Sequence, residues 1–299
     1  MPRPDAPIIS WLGAIEGDVA LVGGKAASLN ALARLGFRIP PGFCVTTRAF
    51  DLQLASLPAA AAALTRLPDE TARTELTSQF EHGRLEPGVG AALRDAVDQL
   101  IVELEAIGAT PVRLAVRSSG IGEDSSAASF AGLHETELGV TPDGVAAAAL
   151  RCWASLWSPA AVAYRQRKGL ALDGGGMAVV VQALVRADAA AVVFTRHPVT
   201  GRTDQLVITG VRGLGEAMVA GTVTPDTWVI DRATGSTVEY TPGDRAEGQV
   251  GPALEPALLE DLTRLAIAIE AGFGAAVDIE AAASRGTWFL LQARPITTA

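Results

Sequence analysis

Residues Ala276–Arg294 read AVDIEAAASRGTWFLLQAR, two runs of strand-forming residues around a Ser-Arg-Gly-Thr turn. Side chains alternate along a strand, so Asp278 and Glu280 share a face of the first run, and Trp288, Leu290, Gln292 and Arg294 share a face of the second. A three-residue turn centred on Gly286 sets Glu280 directly opposite Gln292. An acid, an amide and a guanidinium then become neighbours on one surface. A carboxylate with a carbonyl oxygen forms part of a shell for magnesium, which keeps several waters and takes further oxygens from substrate phosphates. Arg294 is placed to fork two phosphate oxygens. The same pattern also suits a solvent-facing hairpin with an ordinary ion pair.

Upstream of the hairpin, Pro256–Ala271 has the spacing of an amphipathic helix, with Leu258, Leu259, Leu262, Leu265, Ala266 and Ile269 on one side and Gly272 at its end. Before it, MAVVVQALV, AAAVVFT, QLVIT, TWVID and STVEY follow in close order after Gly174-Gly175-Gly176, the signature of a sheet-rich lobe over residues 177–299. Residues 1–176 read as a helix-rich lobe. It holds helices from Gly23 to Gly36, from Asp51 to Leu67 and from Pro87 to Ile107, a short strand at Val112–Val116, and a helical region at Val145–Lys168 that Pro159 breaks. The class is α+β with two lobes.

The first lobe also contains LAVRSSGIGEDSSAASFAGLHET, from Leu114 to Thr136, where an apolar run ends in an arginine and a serine/glycine loop follows. Loops of that composition are commonly mere connections. Small residues also let backbone N–H groups approach phosphate oxygens closely, with Arg117 supplying charge and Gly132 a close backbone approach. GGK at Gly23–Lys25 lacks a Walker motif, because Val19 stands where a glycine is needed and Ala26 where Ser or Thr is needed. What remains is a glycine-rich helix start beside a lysine, a general anion site. LVITGVRGLGEAMVAG has Met218 where a dinucleotide fingerprint needs its third glycine, so Gly213, Gly215 and Glu216 read as a tight turn. His82, His134 and His197 share no motif with a nucleophile, and no serine or cysteine sits in a nucleophile elbow.

Composition narrows the partners. The 299 residues carry a net charge of -9 with only 24 Lys plus Arg, which argues against a nucleic-acid backbone as ligand, whereas a small phosphorylated molecule needs only a local cationic cluster. Cys44 and Cys152 sit far apart among apolar neighbours and read as buried free thiols. The start MPRPDAPIIS lacks a basic-then-apolar pattern and no apolar run has membrane-spanning length, so no membrane association and a cytoplasmic location are expected.

In order along the chain, GGKAASL with LGFRIPPGFCVTT, AVRSSGIGEDSSAASFAGLHET, VVQALV, VVFTRHPVTG, GLGEAMVAGTVTPDTW and LLQARPIT resemble the ATP-binding domain of the phosphoenolpyruvate synthase, pyruvate phosphate dikinase and rifampicin phosphotransferase family. The resemblance spans nearly the whole sequence and implies an ATP-grasp-like fold with nucleotide between the two lobes. It implies that Lys25 and Arg117 hold phosphates, that Gly132 and Thr136 belong to the loop closing over them, and that Gln182 lies by the adenine. It further implies that Glu280 and Gln292 bind magnesium and that Arg294 is the transfer-site arginine. On that reading the serine/glycine loop is a cradle. Three departures stand out: Gly120, Ile121 and Gly122 with Leu133 alter the loop, His197 stands where the family carries Asp or Asn, and Ala281 turns DIEW into DIEA.

Family members carry a swivelling domain whose histidine takes the phosphoryl group from ATP to a distant acceptor, and the sequence ends at Ala299 just after the hairpin. The expectation is an ATP-binding phosphotransferase component that passes the β-phosphate to a histidine on a separate protein, leaving AMP and phosphate. A stand-alone small-molecule kinase releasing ADP, and a non-catalytic ATP sensor regulating a partner, are the alternatives.

Overall fold

The computed structural model describes residues 5–14, 18–121, 124–125, 128–129, 136–173, 175–244 and 250–296. Two compact units emerge, Met1–Asn30 with Pro41–Leu184, and Ala31–Pro40 with Val185–Ala299. The sequence placed the change of lobe at Gly176, eight residues before the first unit ends. The strand Met177–Ala183 belongs to the first unit because both its edges are hydrogen-bonded there.

The first unit contains β1 (Ile9–Trp11), α1 (Val19–Arg34, whose last residues belong to the second unit), β2 (Gly42–Val45), α2 (Thr47–Ser56), α3 (Ala60–Thr65), α4 (Glu70–Glu81), α5 (Pro87–Ala106), β3 (Leu114–Gly120), β4 (Asp124–Ser125), β5 (Ala128–Ser129), β6 (Thr136–Val140), α6 (Val145–Ala154), α7 (Pro159–Lys168) and β7 (Met177–Ala183). Its antiparallel sheet has the order β1-β2-β7-β3-β6. Helix starts follow local chemistry. Asp69 accepts the Ala72 N–H at 2.9 Å to begin α4, and the Glu86 carboxylate accepts the Val89 N–H at 2.8 Å to begin α5, where Pro87 needs no donor. Ser158 and Pro159 do the same for α7 after a short 3-10 turn, so the proline breaks the helical region as its position requires.

Phe43, Val45, Leu114, Val116, Val179 and Val181 point from one face of this sheet into the core. That core also holds Phe50, Phe80, Trp153 and Trp157, with Phe80 and Trp157 rings 5.2 Å apart. The sequence reading ended the strand at Val116 and the arginine after it, and made Ser118 onward a loop. The structure continues β3 to Gly120, because β7 pairs with every residue from Leu114 onward. It also missed α4, whose buried Ala72, Leu76 and Phe80 recur every four residues between polar ones.

The second unit contains β8 (Ala189–Phe194), β9 (Gln205–Arg212), α8 (Glu216–Val219), β10 (Asp226–Asp231), β11 (Thr237–Thr241), α9 (Pro256–Phe273), β12 (Val277–Ser284) and β13 (Thr287–Pro295). Its antiparallel sheet runs β11-β10-β9-β8-β12-β13. The amphipathic α9 packs Leu262, Ala266 and Ile269 against Ala191, Val193, Ile279 and Ala283. Among the described residues no single helix is long and apolar enough to cross a membrane.

The β12–β13 hairpin reaches its register by a route the sequence reading did not foresee. Ser284 pairs with Thr287, so the turn has two residues, Arg285 (φ 50) and Gly286 (φ 74), as a type I′ turn demands. This tip register pairs Ala283 with Trp288 and Ala281 with Leu290. Leu291 is then an extra residue, a bulge after which Glu280 faces Gln292 and Asp278 faces Arg294. Trp288 and Leu290 therefore enter the core, while Gln292 and Arg294 lie on the opposite face, correcting the expectation that all four share one side. Burial of the tryptophan decides the matter: its indole N–H donates to the Leu258 carbonyl of α9 at 3.0 Å. Arg285 is a poor residue for a left-handed turn position, so Arg285→Asn is expected to stabilise the protein by about 0.5 kcal/mol in urea unfolding.

Candidate active site

In the first unit, the sheet face opposite the aromatic core carries the polar set. Arg117 pairs with Val180 and Thr136, Gln182 pairs with Ala115 and Gly42, and Ser119 pairs with Ala178, so period two places Arg117, Ser119, Thr136 and Gln182 on one side. Gln182 and Ser119 are buried, as is Lys25 at 9% exposure on α1. The helix is not regular there. Gly23 has φ 73 and ψ 174, a region open essentially to glycine alone, and the chain restarts as helix just before Lys25. The Ser119 hydroxyl donates to the Val22 carbonyl at 2.8 Å and accepts the Ala26 N–H at 3.2 Å. The sequence thus brought Lys25, Arg117, Thr136 and Gln182 to notice, and the first unit holds them on α1 and on one face of its sheet. Gly132, with His134 and Leu133, lies outside the described residues.

Cys44 lies on that same sheet face, its thiol 3.5 Å from the Val22 carbonyl. Burial pushes the thiol far up from its ordinary range, which makes it a packing group rather than a nucleophile.

In the second unit, the face opposite α9 carries Asp278, Glu280, Gln292 and Arg294. Glu280 lies directly across from Gln292 on β13 and from Val192 on β8. Gln292 is 6% exposed, so its amide sits in the protein's interior rather than on a rim. One pair along, the Arg294 Nε and Nη2 atoms both reach Asp278 Oδ2, at 2.9 and 2.8 Å. Burial raises the Asp278 carboxyl above its usual range, Arg294 pulls it back, and neighbouring Glu280 pushes it up again. Two carboxylates, an amide and a guanidinium are a donor set for a divalent cation beside an anion. Among the described residues no three His, Cys, Asp or Glu side chains form a metal cage of their own.

Sequence reasoning placed Asp278 on the right face without giving it a task. The signal was present: 278 with 294 and 280 with 292 share one register, so whatever opposes Gln292 to Glu280 also opposes Arg294 to Asp278. Ser119 was also passed over, although it stands two residues beyond Arg117 in a strand. Two departures from the family motif find physical accounts. Ala281 is 1% exposed in the core opposite Glu280, so DIEA changes packing and leaves the polar face alone. His197 Nδ1 accepts the Val199 and Thr200 N–H groups at 3.2 and 3.3 Å, the turn-capping task that an Asp or Asn oxygen performs. Gly213 has φ 76 in the turn before the single-turn helix α8, in keeping with its reading as a tight turn.

Comparison with known proteins gives the family. The family described as pyruvate phosphate dikinase, AMP/ATP-binding domain, matches residues 19–299. Rifampicin phosphotransferase of Streptomyces sviceus is 37% identical over 95% of this chain and 35% of its own length. The prodigiosin synthesizing transferase PigC of Serratia marcescens is 36% identical over 95% of this chain and 33% of its own. A probable phosphoenolpyruvate synthase of Methanothermobacter thermautotrophicus is 34% identical over 95% and 45%. The chain therefore spans between a third and a half of the length of these curated relatives.

Proposed function

This chain belongs to the pyruvate phosphate dikinase AMP/ATP-binding domain family, and on that premise we propose that it binds ATP with magnesium and passes the β-phosphate to a histidine on a separate swivelling-domain protein. The observation that carries the reading is the pairing of Glu280 with Gln292, with Arg294 next along the same face. Glu280 and Gln292 hold the magnesium ion through their oxygens. That ion supplies charge neutralisation on the phosphate chain when bound. Lys25 and Arg117 hold the phosphates, Gly132 and Thr136 belong to the loop over them, and Gln182 lies beside the adenine. Arg294 grips the transferred group, where charge spreads over oxygens in the transition state, and Asp278 fixes its guanidinium plane. With one water consumed, ATP and the histidine give phosphohistidine, AMP and phosphate. The relatives are longer than the matched stretch, so the acceptor side of the reaction is assigned outside it.

Phosphorus NMR of the chain with ATP, magnesium and the histidine-bearing partner tests the reading. AMP and phosphate are the expected products. ADP marks a stand-alone kinase instead, and ATP binding without turnover marks a sensor. Independently, ATP at about 100 times its dissociation constant is expected to stabilise the protein by about 2.7 kcal/mol in thermal unfolding, and no shift overturns nucleotide binding itself.

A further inference from the structure

The carbonyl of Val22 and the N–H of Ala26 are the partners that an unbroken α-helix joins directly. At Gly23 the helix breaks, and the fully buried Ser119 hydroxyl takes both, donating to the carbonyl at 2.8 Å and accepting the N–H at 3.2 Å. A side chain from another element thereby completes the ladder of α1 across its own kink. The fit leaves no slack: a Cβ on Gly23 lies 2.0 Å from the Ser119 carbonyl oxygen. Lys25 is in the turn so held, and Arg117 is two residues before Ser119 on β3, facing the same way. We propose that Ser119 is a positioning residue that locks the Lys25 turn to the strand carrying Arg117, so that the two cations keep the spacing a polyphosphate needs. The effect of the serine passes through the helix turn and needs no contact with the ligand. The inference rests on the reading of Lys25 and Arg117 as phosphate holders.

The test is calorimetric titration of the full chain, as wild type, Ser119→Ala, Lys25→Ala and the double variant, with ATP plus magnesium and with adenosine. Loss of the two buried hydrogen bonds in Ser119→Ala is expected to weaken ATP about tenfold and leave adenosine within about twofold. Added to Lys25→Ala, the same change is expected to cost less than about twofold, since a misplaced turn no longer has a lysine to misplace. Absence of ATP binding by the wild type removes the nucleotide reading, and an unchanged affinity in Lys25→Ala removes the phosphate-holding role of Lys25 on which the inference stands. If those two hold, the inference alone is overturned by any of three results: wild-type ATP affinity in Ser119→Ala, equal loss for ATP and adenosine, or full additivity with Lys25→Ala. Should Ser119→Ala not fold, Ser119→Cys keeps a weak donor and acceptor in place and carries the same cycle. Amide exchange in the unsubstituted protein gives a further readout. Ala26 is expected to exchange slowly without nucleotide, and fast exchange there also overturns the inference.

Discussion

Arg294→Ala is expected to lower phosphoryl transfer about 100-fold while ATP affinity falls no more than about tenfold, because a group that meets charge developing in the transition state costs rate more than binding. Single-turnover transfer to the histidine partner and direct titration of ATP separate the two effects. The substitution also strips Asp278 of the guanidinium that both Nε and Nη2 direct at its Oδ2. With 32% of the Arg294 and 13% of the Asp278 side chain exposed, solvent screens part of that loss, and about 1–2 kcal/mol of stability goes with it. Pairing the change with Asp278→Asn is expected to return the stability and not the rate. Arg294→Lys is expected to stay slow, since an ammonium cannot make the planar two-point grip. Transfer at the wild-type rate in Arg294→Ala removes the arginine from the chemistry.

Gly23→Ala is expected to cost at least about 3 kcal/mol and to abolish ATP binding. Two independent penalties coincide there. The backbone angles, φ 73 and ψ 174, suit glycine only, and an added Cβ meets the Ser119 carbonyl oxygen at 2.0 Å. The strand cannot readily yield, because Ser119 is paired with Ala178 of β7, the middle strand of the sheet. Gly36, beyond the end of α1, is the control: its φ is 84 but nothing lies within 4 Å of an added Cβ. Gly36→Ala pays the backbone penalty alone, about 1 kcal/mol. Urea unfolding of the two variants in parallel checks the contrast, and equal losses refute the account of the Gly23 contact.

Much of the architecture could be read from local chemistry. The helix at Pro256 and the one at Pro87 have proline in their first turn and a clear apolar stripe, so both were found nearly to the residue. The meeting of Glu280 with Gln292 was also foreseen, yet through a three-residue turn rather than a two-residue turn followed by a bulge. Either route gives the same pairing at the base of the hairpin, and only the burial of Trp288 on α9 chooses between them. That choice depends on a helix packed from elsewhere in the chain and is invisible in the hairpin's own letters. Likewise SSG has the composition of a loop, and becomes strand because β7, more than 50 residues later, supplies its hydrogen bonds. The kink at Gly23 was read as a helix beginning, since a glycine pair looks the same at a start and at a break.

The surplus residue at Leu291 gives the terminal hairpin one register at its tip and another at its base. Ala281, Ala283, Trp288 and Leu290 on the tip side and Val277, Ile279 and Ala293 on the base side enter the same core, and only the base side also carries the polar face of Asp278, Glu280, Gln292 and Arg294. Foreign sequence spliced between Arg285 and Gly286 would strain the two-residue turn first, whereas Glu280 at the base is held between Gln292 of β13 and Val192 of β8. The tip of this hairpin is thus a natural grafting point for a reporter, one that leaves the alignment of Glu280 with Gln292 undisturbed.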